Sequence, residues 1–274
     1  GTFHSICVRI LRREIEALGY GAQFTIADTD DQLSLVKRIM ADLELDSKRF
    51  HPRAILSKIS ELKTSLIFPD AYKGEDFYTK IVARVYEQYQ SSLRQSNTLD
   101  FDDLIALTVT IFRQYPRTLE KYQSFWHYVL VDEYQDTSHD QYTLIKLLAE
   151  AKKNLFCIGD DAQSIYQFRK ADIRNILNFQ KDYPDARVIM LEQNYRSTDT
   201  IITAAQHIIS NNKAQIPKNL WTENEGGEKI IATEALNERE EAIRILAKAD
   251  ELIKKAYALH DMAILYRTHA QSRN

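Results

Sequence analysis

Two adjacent acids at the end of an apolar run are the first residues in this sequence whose types and spacing could do chemistry. Residues 128–136 read Y-V-L-V-D-E-Y-Q-D. The run before Asp132 is aliphatic or β-branched for the most part, too short for a helix, and reads as a strand buried on both faces. Open α/β sheets bind ligands at the carboxyl ends of their strands, so Asp132 and Glu133 suit a metal ion and a nucleophilic water. There Asp132 would hold Mg²⁺ and Glu133 would polarise the water. The plainer alternative is a strand that ends in solvated acids.

The pattern of apolar strand, polar segment and helix then repeats. A second apolar run at 155–158 leads into G-D-D-A-Q-S-I-Y-Q-F-R-K-A at 159–171, and a third at 188–191 leads into L-E-Q-N-Y-R-S at 191–197. Tyr166, Phe168 and Arg169 place two rings and a cation close together. Sequence-independent binding of a single nucleic-acid strand needs that combination, because every base has a π-face and every nucleotide a phosphate. An aromatic pair near a strand end can equally belong to a core.

With T-F-H-S at 2–5 and L-Y-R-T-H-A-Q-S-R at 265–273, these strings closely resemble the UvrD/Rep/PcrA family of superfamily 1 DNA helicases, over nearly the whole chain and most weakly across 20–95. The resemblance implies an ATP-dependent helicase or translocase of 3′→5′ polarity that uses ATP and Mg²⁺. Its partners would be single-stranded DNA and single-strand/duplex junctions. It gives Asp132 the magnesium and Glu133 the attacking water. Gln163 would sense the γ-phosphate, Arg196 would stabilise its charge from a second motor domain, and Tyr195 would stack on the adenine. Thr2, Phe3 and His4 match one strand-contacting motif, Tyr166, Phe168 and Arg169 a second, and Arg267 with His269 a third. Phe168 stands where the family often has tryptophan. Ala162, Lys170 and His269 stand where it more often has an acid, a glycine and an asparagine, and Lys170 would add a cation beside the aromatic platform.

The phosphate-cradling loop G-x-x-x-x-G-K-[ST] is absent from the sequence, since none of its seven glycines is followed by lysine. In the family that loop lies upstream of T-F-H-S, so the chain reads as an internal fragment, inactive by itself. The implied fold is an incomplete P-loop NTPase (RecA-like) parallel sheet with an all-α insertion and the start of a second RecA-like domain. Residues 1–19 and 97–192 would form the first motor domain, 20–96 the insertion and 193–274 the beginning of the second motor domain. The missing loop's strand would leave a slot between the strands at 155–158 and 188–191, to be closed by those two or filled by another molecule.

Composition is ordinary for a globular protein: 274 residues, 44% hydrophobic, net charge −3. Nucleic-acid contacts must therefore come from local patches. Two cysteines, Cys7 and Cys157, make no disulfide framework. With no signal-peptide pattern and no apolar run of membrane-span length, they point to the cytoplasm.

Elements must position these residues. Cys7, Leu11, Ile15 and Leu18 predict a helix from about Ser5, with Arg9, Arg12 and Arg13 on its flank. Residues 24–96 read as helical without strands, and 97–104 (N-T-L-D-F-D-D-L) resemble the return to the motor domain. Helices are predicted at 137–149, 171–179, 198–210 and 238–254, and strands at 230–232 and 262–266. Two other functions fit some of the same residues. A metal-dependent nuclease or phosphatase could use Asp132, Glu133, Asp160 and Asp161, and a non-catalytic module could bind single-stranded DNA alone. A helicase subunit of a recombination nuclease stays within the family.

Overall fold

Helix α1 (Phe3–Glu14) starts earlier than the Ser5 predicted, because Thr2 caps it: the Thr2 hydroxyl accepts from the Ser5 N–H at 3.3 Å. A computed structural model describes residues 1–213 and 215–273, without the side chains of Arg169 and Arg273. Over these residues the chain is mixed α/β with short parallel strand pairs. No helix among them is long and apolar enough to cross a membrane.

The first core forms where α1 packs on α5 (Phe101–Gln114), burying Cys7, Ile10, Leu11 and Ile15 against Leu104, Ile105, Ile111 and Phe112. A second core joins α2 (Thr29–Asp42), α3 (Pro52–Thr64) and α4 (Phe77–Gln95) through Val36, Met40, Ile55, Ile59, Val82 and Tyr86. Asp28, Asp76 and Asp100 start α2, α4 and α5 with capping boxes, each carboxylate accepting a backbone N–H of the first turn. The helical stretch is not strand-free as predicted. Strand β1 (Thr25–Ile26) runs parallel to β2 (Thr98–Leu99), so the ways into and out of the helices lie side by side. Two-residue strands are too short to show alternation in a sequence.

Helix α6 (Pro116–Phe125) leads to β3 (Val129–Val131), which pairs in parallel with β4 (Leu155–Cys157) in the register Val129 to Leu155 and Val131 to Cys157. The crossover is α7 (His139–Ala149). One face of the pair is covered, Val131 packing with Tyr134 and Ile145. The other carries Leu130 at 72% exposure and Phe156 at 57%, so β3 is buried on one face and not on both. Pleating sends alternate residues to opposite sides, and no described element covers the second.

Residues 188–191 form no strand. The slot expected beside 155–158 is therefore not closed by pairing of those two segments, because a strand exists only where neighbouring N–H and C=O groups satisfy it. The helix predicted over 171–179 divides into α8 (Arg174–Leu177) and α9 (Phe179–Asp182) at Asn178.

The chain falls into two compact units, Gly1–Ile189 with Asn212–Pro217, and Met190–Asn211 with Lys218–Asn274. The second unit contains α10 (Asp199–Ile209), which follows Thr198 without a side-chain capping bond, and α11 (Glu238–Lys254). Ile202 is its one buried apolar side chain among the described residues. The strands predicted at 230–232 and 262–266 are absent, again for want of a ladder partner.

Candidate functional site

The chain leaving β3 stays stitched to the end of β4: Ile158 N–H donates to Val131 O at 2.8 Å and Tyr134 N–H to Ile158 O at 2.9 Å. Between these bonds Asp132 and Glu133 are exposed, and the Asp132 carboxylate accepts from the Glu133 N–H at 3.0 Å. Glu133 has φ 51°, the left-handed region that a side chain disfavours. This turn presents both acids at the carboxyl edge of the sheet.

Buried Gln135 then ties the two strand ends together. Its amide donates to the Glu133 carboxylate at 2.7 Å, and its carbonyl oxygen accepts from the Asp160 N–H at 3.0 Å. A Cβ at Gly159 would lie 2.8 Å from Gln135 Oε1 and 2.8 Å from Ile176 Cδ1, so the glycine permits this approach. Asp160 in turn accepts from the Ala162 N–H at 3.0 Å and from Gln163 Nε2 at 2.8 Å. Glu133, Asp160 and Gln163 thus belong to one hydrogen-bonded chain through Gln135, a residue the sequence did not single out beyond its place in E-Y-Q. Asp161 is buried and accepts from the Ile216 N–H at 3.0 Å. Asp136 keeps a buried Oδ1 without a hydrogen-bond partner among the described residues, and burial followed by the Glu133 charge raises its pKa.

Among the described residues, no group of three or more His, Cys, Asp or Glu is placed to hold a metal ion. The donor set fits Mg²⁺ held by one carboxylate and a phosphate ligand, since that ion keeps several waters and takes few protein oxygens.

Tyr166 and Phe168 lie 5.9 Å apart between ring centroids, their planes at 46°, with Phe168 64% exposed. The backbone of Arg169 closes the 3₁₀ turn Gln167–Arg169; its side chain lies outside the described residues. Lys170 follows with φ 69°, and its ammonium donates to Thr64 Oγ1 at 3.4 Å and to Ser60 Oγ. It does not stand free beside the aromatic pair, as the sequence suggested. The left-handed backbone also explains why a glycine suits this position. Beyond it, Asp172 N–H and Asn175 Nδ2 both donate to Thr137 O at 3.0 Å.

Thr2 is spent on its cap, and Phe3 packs against two core clusters. The His4 ring meets Phe101 edge-on at 5.9 Å, and burial lowers the His4 pKa against the opposing pull of Asp102. Half-exposed Phe101, within the return segment 97–104, is a further ring at this surface. Burial and then the Asp100 charge raise the pKa of Asp102, while nearby Ser60 and the Lys170 charge work to lower it. The T-F-H-S segment thus lies against the first turn of α5, and the 166–170 segment against the last turns of α3, which packs on α5.

In the second unit, Tyr195 and Arg196 are exposed. The Tyr195 hydroxyl donates to Gln193 Oε1 at 2.7 Å, and Arg196 and Ser197 N–H donate to Asn194 Oδ1 at 2.9 and 2.8 Å. This turn leads directly to α10. Arg267 N–H donates to Gln271 Oε1 at 2.9 Å, and the His269 ring lies 6.2 Å from that of Tyr266.

Residues 1–184 match the UvrD/REP helicase N-terminal domain, and residues 189–274 match the UvrD-like helicase C-terminal domain. The chain belongs to the UvrD/Rep helicase family. Within that family, proteins named ATP-dependent DNA helicase PcrA are similar to it: one from Staphylococcus aureus is 51% identical over 274 residues, and one from Staphylococcus epidermidis 50% identical over 274 residues. Each alignment covers 99% of this chain and 38% of the relative. The chain thus spans about 38% of the length of these curated UvrD/Rep relatives.

Proposed function

We propose that this chain is part of an ATP-dependent 3′→5′ DNA helicase that couples ATP hydrolysis to movement on single-stranded DNA and to unwinding at single-strand/duplex junctions in the cytoplasm. Residues 1–19 and 97–192 form a partial P-loop NTPase (RecA-like) motor domain, 20–96 its helical insertion and 193–274 the start of a second motor domain. The hydrogen-bonded chain Glu133, Gln135, Asp160, Gln163 carries the reading, because it joins a water-activating carboxylate to a γ-phosphate-sensing amide at the carboxyl edge of a parallel sheet.

Bound MgATP supplies the phosphoryl group. Asp132 would hold the metal and Glu133 would take the proton of the attacking water; by the family resemblance, Gln163 and, from the second unit, Arg196 would act on the γ-phosphate and Tyr195 on the adenine. Thr2, Phe3, His4, Tyr166, Phe168 and Arg169 contact the strand, as do Arg267 and His269. Polarity and these roles rest on the family resemblance. The nuclease alternative lacks support: Asp160 and Asp161 are engaged in local hydrogen bonds, and the relatives are named helicases. In the full-length protein, Glu133→Gln is expected to retain nucleotide binding and to lower DNA-stimulated turnover by orders of magnitude. Turnover near the wild-type rate would refute the assignment.

A further inference from the structure

We propose that Lys170 is a positioning residue: its side chain ties the exposed pair Tyr166 and Phe168 to helix α3. The role deepens the strand-binding reading above and rests on it. The 166–170 turn projects its rings outward, and Lys170, at its end, turns its ammonium the other way, onto Ser60 and Thr64. These two hydroxyls are one helical turn apart on the same face of α3.

The receiving hydroxyls are set up to accept. Thr64 donates its own proton to Ser60 O at 2.8 Å, leaving its lone pairs toward the ammonium. The Asp102 charge acts on both the Lys170 ammonium and the His4 ring. The Lys170 tether thus shares one neighbouring carboxylate with the other strand-contacting segment. The surface it grips is itself fixed. Lys63, on the same turn of α3, is fully buried and donates to Asp100 at 2.7 Å and Asp103 at 2.8 Å of the α5 cap.

The backbone supports the same inference. At φ 69° any residue with a Cβ is disfavoured relative to glycine, so a lysine here brings a local strain that its side-chain bonds offset. Burial lowers the Lys170 pKa, and the charges of Asp102, Glu61, Asp140 and Asp100 oppose that shift. A platform held in place before the strand arrives loses less conformational freedom on binding.

The test uses the full-length protein with Lys170→Met, Lys170→Gly and Lys170→Arg, and Ser60→Ala with Thr64→Val as a double variant acting from the other side. Amide hydrogen exchange of residues 164–171 without DNA reads the tether, and fluorescence anisotropy with an oligo-dT strand reads its consequence. Met, Gly and the double variant are expected to exchange faster there and to bind oligo-dT roughly tenfold more weakly, with the melting temperature and nucleotide affinity near wild type. Arg is expected to recover most of both. Unchanged exchange in both Met and the double variant would overturn the proposal, as would faster exchange with unchanged oligo-dT affinity. Wild-type protein that binds no oligo-dT would instead bring down the strand-binding reading, and exchange alone would then decide the tether.

Discussion

Glu133 and Gln135 divide one task between them. Glu133 is the acid set at the sheet edge in a backbone conformation unfavourable to it, and Gln135 is the buried amide that holds its carboxylate and the start of the β4 loop. Gln135→Leu removes both bonds and leaves the Asp160 N–H without that acceptor. It is expected to lower kcat for DNA-stimulated ATP hydrolysis in the full-length protein by one or more orders of magnitude while changing nucleotide Kd little; an unchanged kcat would show that Glu133 is positioned without it. Phe168→Ala tests a different residue. Its ring is exposed, so folding should survive while single-strand affinity falls by about 1–3 kcal/mol, with little dependence on base sequence. Loss of the fold instead would make Phe168 core. Residue types were legible in the sequence because acids, rings and amides announce their chemistry. Gln135 and the direction of the Lys170 side chain were not, since both depend on segments that meet only in three dimensions.

Elements succeed or fail according to whether their stabilising bonds are local. The caps at Asp28, Asp76 and Asp100 are written within four residues of sequence, and those helices form. The strands predicted at 188–191, 230–232 and 262–266 have the right residues but no ladder partner among the described residues, and do not form. The same contrast applies to the junction of α3, α4 and α5, where Lys63 meets Asp100 and Asp103, and Tyr89 donates to Asp100 at 2.9 Å. Nothing in the spacing of these residues reveals the cluster. Burial works against the Lys63 charge, yet the two carboxylates hold its pKa above the ordinary value. Lys63→Met would leave two acids buried without their cation and is expected to destabilise the first unit by about 3–5 kcal/mol in denaturant unfolding. A loss below about 1 kcal/mol would mean that the junction relaxes around the pair.

Acidity adds a signature to that junction. Burial and then the Asp100 charge push the Asp103 pKa up to about 7, and burial pushes that of Asp140 up to about 6. A raised acid stabilises the fold fully below its unfolded pKa and loses that contribution as pH rises through the folded value. Asp100 is lowered, against burial, chiefly by the Lys63 charge; its contribution is present above the ordinary value of 3.8 and is lost as pH falls through the folded pKa. The melting temperature is therefore expected to be higher at pH 5.5 than at pH 8, with Asp103→Asn flattening the difference. A steeper slope in Asp103→Asn would reverse the assignment.

At the scale of the whole chain, the question is what its apolar surface does in water. Leu130, Phe156 and Ile158 line the uncovered side and end of the β3–β4 pair, and β3 and β4 each have one neighbour among the described residues. In the second unit Ile231, Leu236, Leu246, Leu259 and Leu265 are exposed, while among the described residues Ile202 alone is buried. Isolated exposed leucines mean little, but a contiguous apolar face beside strand edges with unsatisfied N–H and C=O groups offers a partner both a surface and a ladder. Net charge of −3 over 274 residues supplies little repulsion to keep copies apart. Expressed by itself, the 274-residue chain is expected to show negligible DNA-stimulated ATPase activity, for lack of a phosphate loop, and to self-associate at micromolar concentration. Sedimentation velocity over a concentration series reads the second effect. Leu130→Glu and Phe156→Lys place charges of opposite sign across one strand pair, which the register sets side by side, and should shift the chain toward monomer without unfolding it. Sedimentation of the unmodified chain as a single monomeric species at every concentration would mean that this face is closed in solution. Retained association in the charged double variant would move the contact to the second unit, where Leu236→Glu and Leu265→Lys repeat the test.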